Sequence, residues 1–337
     1  MKISILDVAK LAKVSRMTVS RVIGSPDSVA ENTKLRVMNA IKELGYVPSS
    51  SARAMRSKDG LLANESLCIA LIFSADTQMA DGFFSAVAKA AEKEAAGYGL
   101  SVLQSHWQES FEKTWPRLKS LFAVSGICGT VLAGQFSLEE IKAIQKFTPN
   151  IVLLDSPVPD GANISSVESD NFQGSLEAIR HLSDRGVKRL LLLTGPNEDH
   201  YFARATVAGI KSLSGGFDKY QVIYTDMTSN SGYEVIRGIF EKGANFDGVF
   251  CNDELAIGAI RAFSELKIKV PKQVKVVGFD DITHSAFLVP SLTTISIDKA
   301  QLGREAVKTL IEIVKNGEDL RNVKKIIKAR LIIRESA

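Results

Sequence analysis

Apolar positions recur at helical spacing three times within the first 44 residues, and from residue 67 onward they bunch into short unbroken runs between amphipathic stretches. In the first helical segment Val8, Leu11 and Ala12 fall on one face, and Val14 closes the turn behind Lys13. Ser15 suits the start of a second helix, where its hydroxyl can accept a backbone N–H near Thr18, with Val19, Val22 and Ile23 as the buried stripe. The opposite face carries Arg16, Met17, Ser20 and Arg21, so i,i+4 stacking sets Arg16 over Ser20 and Met17 over Arg21. A row of that width suits a DNA major groove, although each position taken singly is also what a solvated helix face presents. A third helix is predicted over 31–44, with Leu35, Val37, Met38, Ile41 and Leu44 inward and Gly45 as a left-handed stop.

Residues 49–60, SSSARAMRSKDG, hold almost nothing to bury and read as a disordered linker when alone. Pro48 and the helix formers Ala52, Arg53, Ala54 and Met55 would still let the segment become helical against a partner. Beyond it, apolar runs at 67–73, 127–134, 150–155, 189–195, 247–251 and 274–280 alternate with helical stretches such as 83–96, 172–184, 230–242 and 253–266. Continuous apolar strands interleaved with helices predict parallel sheets covered on both faces. Ligands of such sheets sit beyond the carboxyl ends of the strands, which makes the polar residues just after each run the first candidates for a site.

Charge separates the two regions. The first 60 residues hold 11 Lys or Arg against 5 Asp or Glu, whereas the remaining 277 hold 31 against 33. Attraction to a polyanion follows the local cluster of cations, so a small basic head on a near-neutral body is what a DNA binder needs. Cys68, Cys128 and Cys251 stand in or beside predicted strands without CxxC spacing and read as reduced core residues. The four histidines have no partner at metal spacing, and no GxGxxG or GxxxxGK[ST] loop opens a helix, so no cofactor is implied. The N-terminal residues include no apolar run of signal length, and no segment is apolar enough to span a membrane, so the expectation is a cytoplasmic protein.

DVAKLAKVSRMTVSRVI followed by ELGYVPSSSARAMR resembles the helix-turn-helix, third helix and hinge of the LacI/GalR (lactose-repressor type) bacterial transcription regulators, and the likeness continues to the C-terminus. That resemblance implies an all-α helix-turn-helix head on an α/β periplasmic-binding-protein-like core of two doubly wound parallel-sheet lobes. The head would span 1–47, the hinge helix and linker 48–64, and the effector-binding and dimerisation core 65–337. It also implies a non-enzymatic repressor whose affinity for a pseudo-palindromic operator is set by a small polar effector such as a sugar, sugar acid or nucleoside. The assembly would be a homodimer, with a tetramer as the larger alternative, placing two recognition helices in successive major-groove half-sites and paired hinge helices in the central minor groove. By the same resemblance Arg16, Met17 and Arg21 would read base edges; Ser15, Thr18, Ser20, Thr33, Tyr46 and Ser49 would hold phosphates. Ser4 and Ala52 would complete the DNA-facing set, and Met55 would wedge the minor groove where the family usually has Leu.

For the effector the resemblance implies Ser74, Asp81, Phe83, Phe84, His200, Arg204, Met227, Asn252 and Asp280. Six of these have a plainer alternative: Phe83 and Phe84 as core, His200 as a surface or cap residue, and Arg204, Asn252 and Asp280 as loop or capping groups. Asp253 is either a further polar hook or a cap. Three positions depart from the family pattern. Asp81 stands where Asn is usual, Ile297 where Gln is frequent, and Met227 or Thr228 where an aromatic wall is common. The competing reading is a small-molecule binding protein or α/β enzyme with an accessory N-terminal helical domain, and the basic head and hinge favour the regulator.

Overall fold

The computed structural model describes residues 5–24, 29–44, 67–75, 77, 82–107, 111–123, 126–213, 215–316 and 322–337. The expected hinge at 48–64, together with Ser4, Tyr46, Ser49, Ala52, Met55 and Asp81, lies outside the described residues, as does the side chain of Ser20.

The head is three helices, α1 (Ile5–Ala12), α2 (Arg16–Gly24) and α3 (Glu31–Leu44). Its core is Val8, Ala9, Ala12, Val19, Val22, Val37 and Ala40, flanked by the half-buried Val14, Val29, Ile41 and Leu44. The α1–α2 turn passes through Lys13 at φ 55, where Val14 N–H donates to the Ala9 carbonyl at 3.0 Å. Two sequence expectations need correction. Leu35 and Met38 are 61% and 51% exposed, and Leu11 also faces outward. At 100° per residue the inner stripe of α3 is Val37, Ala40, Ile41 and Leu44, and a head this small buries only one narrow stripe per helix, leaving Leu35 and Met38 off its edge.

The remaining chain forms two lobes. The first begins with β1 (Cys68–Phe73), α4 (Gly82–Gly97), β2 (Ser101–His106), α5 (Phe111–Phe122), β3 (Ile127–Ala133), α6 (Leu138–Gln145), β4 (Ile151–Leu154) and β5 (Ser165–Ser169). The second holds α7 (Asn171–Asp184), β6 (Arg189–Thr194), α8 (Tyr201–Lys211), β7 (Lys219–Tyr224), α9 (Ser229–Glu241), β8 (Gly248–Phe250), α10 (Asp253–Glu265), β9 (Lys275–Asp280), a 3₁₀ turn at Thr283–Phe287 and β10 (Thr293–Ile297). The chain then returns to the first lobe as α11 (Lys299–Asn316) and β11 (Lys324–Ile327), and crosses back as β12 (Ala329–Ile332). The sheet orders are β11-β5-β4-β3-β1-β2 and β12-β10-β9-β8-β6-β7.

Every pairing is parallel except β12 on β10, which is antiparallel with Ile295 opposite Leu331. The central strands β1, β3 and β4 are buried along their whole length, as strands with helices on both faces must be. Three single-residue steps join the lobes: Asp170 before α7, Asp298 before α11, and Lys328 between β11 and β12. Asp170 N–H donates to Ile327 O at 2.9 Å, which lays the first crossing beside the third.

Candidate functional site

In the head, Ser15 begins α2 as the sequence implies: Thr18 N–H donates to Ser15 Oγ at 3.0 Å, and the two hydroxyls lie 2.9 Å apart. Val19 and Val22 are buried, which turns Arg16, Met17 and Arg21 outward on the opposite side, Met17 being 66% exposed. Thr33 is half-buried in the first turn of α3. The second helix therefore presents two guanidinium groups flanking a thioether on a surface free of bulky aromatics, dimensions suited to a major groove.

In the two-lobed core, strand ends and helix starts from both lobes converge on a cavity of about 210 Å³. Ala75 and Thr77 follow β1, Phe83 and Phe84 open α4, and Asp155 follows β4. From the second lobe come Asn171 at the start of α7, Pro196 after β6, His200 to Phe202 at the start of α8, Asp226 to Thr228 after β7, Asn252 after β8, and Asp280 ending β9. The open end of doubly wound sheets is where ligands bind, because strand twist splays the loops there and helix N-termini present free N–H groups.

Six of the nine effector residues expected from sequence meet in this cavity: Phe83, Phe84, His200, Met227, Asn252 and Asp280. Ser74 lies one step away, lining an adjoining chamber that shares Ala75, Pro196 and His200 with the first. Arg204 is the correction. It sits on the exposed side of α8 and lines neither chamber, because α8 turns Phe202, Ala203 and Thr206 inward and carries position 204 to solvent. Ile297 is buried at the end of β10 and also lines neither. Phe83 and Phe84 serve in both senses, packed edge-to-face at 5.0 Å within the core while bordering the cavity. Asn252 likewise does two things: its Oδ1 accepts Leu255 N–H at 3.0 Å to cap α10, and the residue lines the cavity.

Asp253 is neither a cap nor a ligand hook. Its buried carboxylate accepts Thr294 Oγ1–H at 2.5 Å, Ser285 Oγ–H at 2.6 Å and Ile282 N–H at 3.0 Å, tying β10 and the 3₁₀ turn to α10. Burial pushes its pKa up to about 6 against the pull of those hydrogen bonds.

The lining residues that sequence reading passed over include Thr77, Asn171, Asp226 and, most heavily bonded of these, Asp155. It directly follows the run NIVLLD, so the strand-end rule alone would have found it. Its carboxylate accepts Ser169 Oγ–H and, at 3.3 Å, Ser169 N–H from its own lobe, and Tyr201 O–H from the other lobe at 3.4 Å. Burial pushes it up to about 7, partly offset by those hydrogen bonds. Tyr201 N–H also donates across the cleft to Gln135 Oε1 at 3.2 Å, so the first turn of α8 is stitched twice to the opposite lobe. Asp155 and Asp280 hold φ of 58° and 108°, left-handed conformations that cost a non-glycine residue roughly 1–3 kcal/mol and that cluster at binding sites. His200 is buried against Gly195, where a Cβ would stand 2.4 Å from its Nδ1, so the absence of a side chain at 195 lets the imidazole reach the cavity wall.

No lysine or arginine lines the cavity among the described residues. Lys299 donates from Nζ to the carbonyls of Asp280 and Ile297 and lies 5.8 Å from the Phe83 ring centroid. Among the described residues no cluster of His, Cys, Asp or Glu is arranged to hold a metal, and no helix is long and apolar enough to cross a membrane.

A basic helix-turn-helix head joined to two lobes closed over a polar cavity defines a DNA-binding regulator that answers to a small molecule. Comparison with known proteins gives the same class: the pattern of bacterial regulatory proteins, lacI family, matches residues 4–49, and that of the periplasmic binding protein-like domain matches 179–337. The HTH-type transcriptional repressor CytR of Escherichia coli (strain K12) is 30% identical over 338 residues, spanning 98% of this chain and 95% of its own. The HTH-type transcriptional repressor PurR of Pasteurella multocida (strain Pm70) is 30% identical over 339 residues, spanning 99% and 98%. Among solved structures, the Lac repressor bound to ONPG in the repressed state matches with a TM-score of 0.70 at 26% identity over 100% of both chains. A complex of the transcriptional regulator CelR with cellobiose matches at 0.71 and 26% over 99% of this chain and 100% of that one. The chain belongs to the lacI family of bacterial transcription regulators.

Proposed function

We propose that this regulator represses transcription as a cytoplasmic, non-enzymatic homodimer on a pseudo-palindromic operator, and that its effector is a neutral, hydroxyl-rich molecule: a sugar or a nucleoside. The domain division at 1–47, 48–64 and 65–337 belongs to this reading, with Arg16, Met17 and Arg21 at base edges. The observation that carries the effector class is the lining of the cavity. Asp155, Asp226 and Asp280 supply carboxylates, Asn171 and Asn252 amides, and Thr77, Thr228 and Tyr201 hydroxyls, while no lysine or arginine lines the cavity among the described residues. Acceptor-rich walls suit the O–H donors of a sugar ring, and Phe83, Phe84, Phe202 and Met227 suit its apolar faces. A sugar acid, allowed by the sequence alone, would bring a carboxylate to three others with no lysine or arginine among the described lining residues to pair it.

The test is a thermal-shift screen of neutral sugars, nucleosides and sugar acids on the full chain. A ligand at about 100 times its Kd should stabilise by roughly 2.7 kcal/mol. The largest shifts should come from neutral ligands, and a sugar acid at the top of the ranking overturns the charge argument. In the same preparations Arg21→Ala should weaken binding to the selected operator by about 1–3 kcal/mol more than to random DNA. Equal losses on both would confine Arg21 to phosphate.

A further inference from the structure

Charge in the core is nearly balanced in total and uneven in place. The parallel strands of both lobes end at the cleft, so the starting end of the second lobe's sheet points away from it, on the far side of the core from Leu67, where the chain arrives from the head. That far end gathers lysines from three kinds of position. The loop from α10 to β9, LKIKVPKQVK, holds Lys267, Lys269, Lys272 and Lys275. Lys188 precedes β6 and Lys219 opens β7, while Lys211 and Lys242 stand at the ends of α8 and α9. All are exposed except Lys275, which is half-buried.

The carboxylates nearby are mostly committed elsewhere. Asp247 accepts the backbone N–H groups of Lys188 and Arg189 at 3.0 and 2.7 Å and lies 3.4 Å from the Arg189 guanidinium. Glu241 pairs with Arg237 at 2.9 Å and Glu265 with Arg261 at 2.7 Å, which leaves Asp184 and Asp218. None of the lysines at this end makes a side-chain ion pair among the described residues. A lysine at a helix C-terminus answers the helix dipole, which accounts for Lys211, Lys242 and Lys267. The other five end no helix. Val274 is buried, and Ile268 and Val270 pack on the second lobe's core, so the loop turns its apolar groups in and only its charges out. Register aligns the strand starts: Lys219 lies opposite Arg189, and Lys275 opposite Gly248. From β7 to β9 the row crosses three strand spacings, about 14 Å.

We infer that this end of the second lobe is a second DNA-binding surface, one that holds the phosphate backbone without reading sequence, so that a protomer whose head occupies an operator can hold another duplex at its opposite end. A duplex presents a charge about every 1.7 Å of its axis, so any register along it meets the row of lysines. Lysine suits such contacts because a point charge on a flexible stem follows a phosphate without the fixed geometry of a guanidinium fork. A membrane is the poorer match, since the loop offers no apolar group for insertion.

The experiment saturates the heads of the full-length protein with the selected operator and titrates a labelled random-sequence duplex by fluorescence anisotropy between about 50 and 200 mM salt. The parent should bind this second duplex. Lys267→Gln/Lys269→Gln/Lys272→Gln should bind it about tenfold or more weakly, and the slope of log affinity against log salt should shrink by about 0.9 for each lysine that touches a phosphate. Its Tm and its operator affinity should stay with the parent's. Arginine at the same three positions should retain the second duplex, and a loss there as well would overturn the charge argument. No second duplex bound by the parent, or equal binding by parent and glutamine variant, removes the surface and leaves the head's function standing. Phosphatidylserine vesicles are the control: if the glutamine variant loses these and keeps the second duplex, the surface belongs to a membrane and the DNA reading falls.

Discussion

At the scale of single residues, the cleft depends on carboxylates held where charge is costly. Asp155 is raised to about 7 and Asp253 to about 6 by burial, both above the 3.8 of a free aspartate. The folded protein therefore holds protons that the unfolded chain releases between about pH 4 and 7. Their stabilising contribution is complete below the lower limit and lost as pH rises through the folded-state values. Urea midpoints should accordingly fall between pH 5 and 8. Asp155→Asn, which can still accept the Tyr201 hydroxyl, should flatten the upper part of that slope and leave the Asp253 part. An unaltered slope in the variant would mean that Asp155 is already ionised in the closed cleft. The Tyr201 O–H bond from the other lobe pulls the opposite way, favouring the ionised carboxylate, so Tyr201→Phe should push Asp155 higher still.

At the scale of elements, close approach is written in small residues. α9 and α10 touch through Gly232 and Gly258: a Cβ on Gly258 would lie 1.8 Å from Ser229 O, and one on Gly232 would lie 2.2 Å from Leu255 O. Both obstacles are backbone, which cannot rotate aside. Gly258→Ala should cost about 1–3 kcal/mol or more by overpacking, seen as a drop of about 2–4 °C in Tm for each kcal/mol. A variant that melts with the parent would show that the two helices can slide apart freely. The same scale explains what could be read from the sequence. β1, β3, β4, β6, β8 and β9 were legible because strands covered on both faces are unbroken apolar runs. β2 and β7 end their sheets and are mostly half-exposed, so their pattern fades. β5, SSVES, is wholly buried yet polar, its side chains satisfied by bonds such as Ser166 Oγ–H to Glu168 Oε1 at 2.6 Å, which hydropathy cannot register. The site was legible wherever a residue follows a strand or opens a helix. Arg204 stands where the family likeness points, but α8 carries it to solvent, and Asp155 lies outside that likeness although it directly follows a strand.

At the scale of the whole molecule, three short crossings join the two lobes, and Tyr201 bridges the cleft between them through Asp155 and Gln135. An effector can shift DNA affinity only by its difference in affinity for two arrangements of the protein, typically 1–3 kcal/mol. The coupling must be reciprocal: operator fragment should alter the effector's Kd by the same factor by which effector alters the operator's. Unequal factors, measured by calorimetry and fluorescence anisotropy under one buffer, would mean that the two titrations did not reach the same equilibrium, whatever the number of states. The crossings also set an order of events during synthesis. The first sheet's outermost strand, β11, and the helix α11 that packs on α4 are encoded after the whole of the second lobe's parallel sheet. Neither sheet is complete until residues 324–332 have been made, and Ser336 then anchors the tail, its carbonyl accepting Val276 N–H at 2.9 Å and its Oγ accepting Thr293 N–H at 2.8 Å. A chain cut short after residue 322 would have both sheets lacking an edge strand, so residues 324–332 decide at once whether both halves become native.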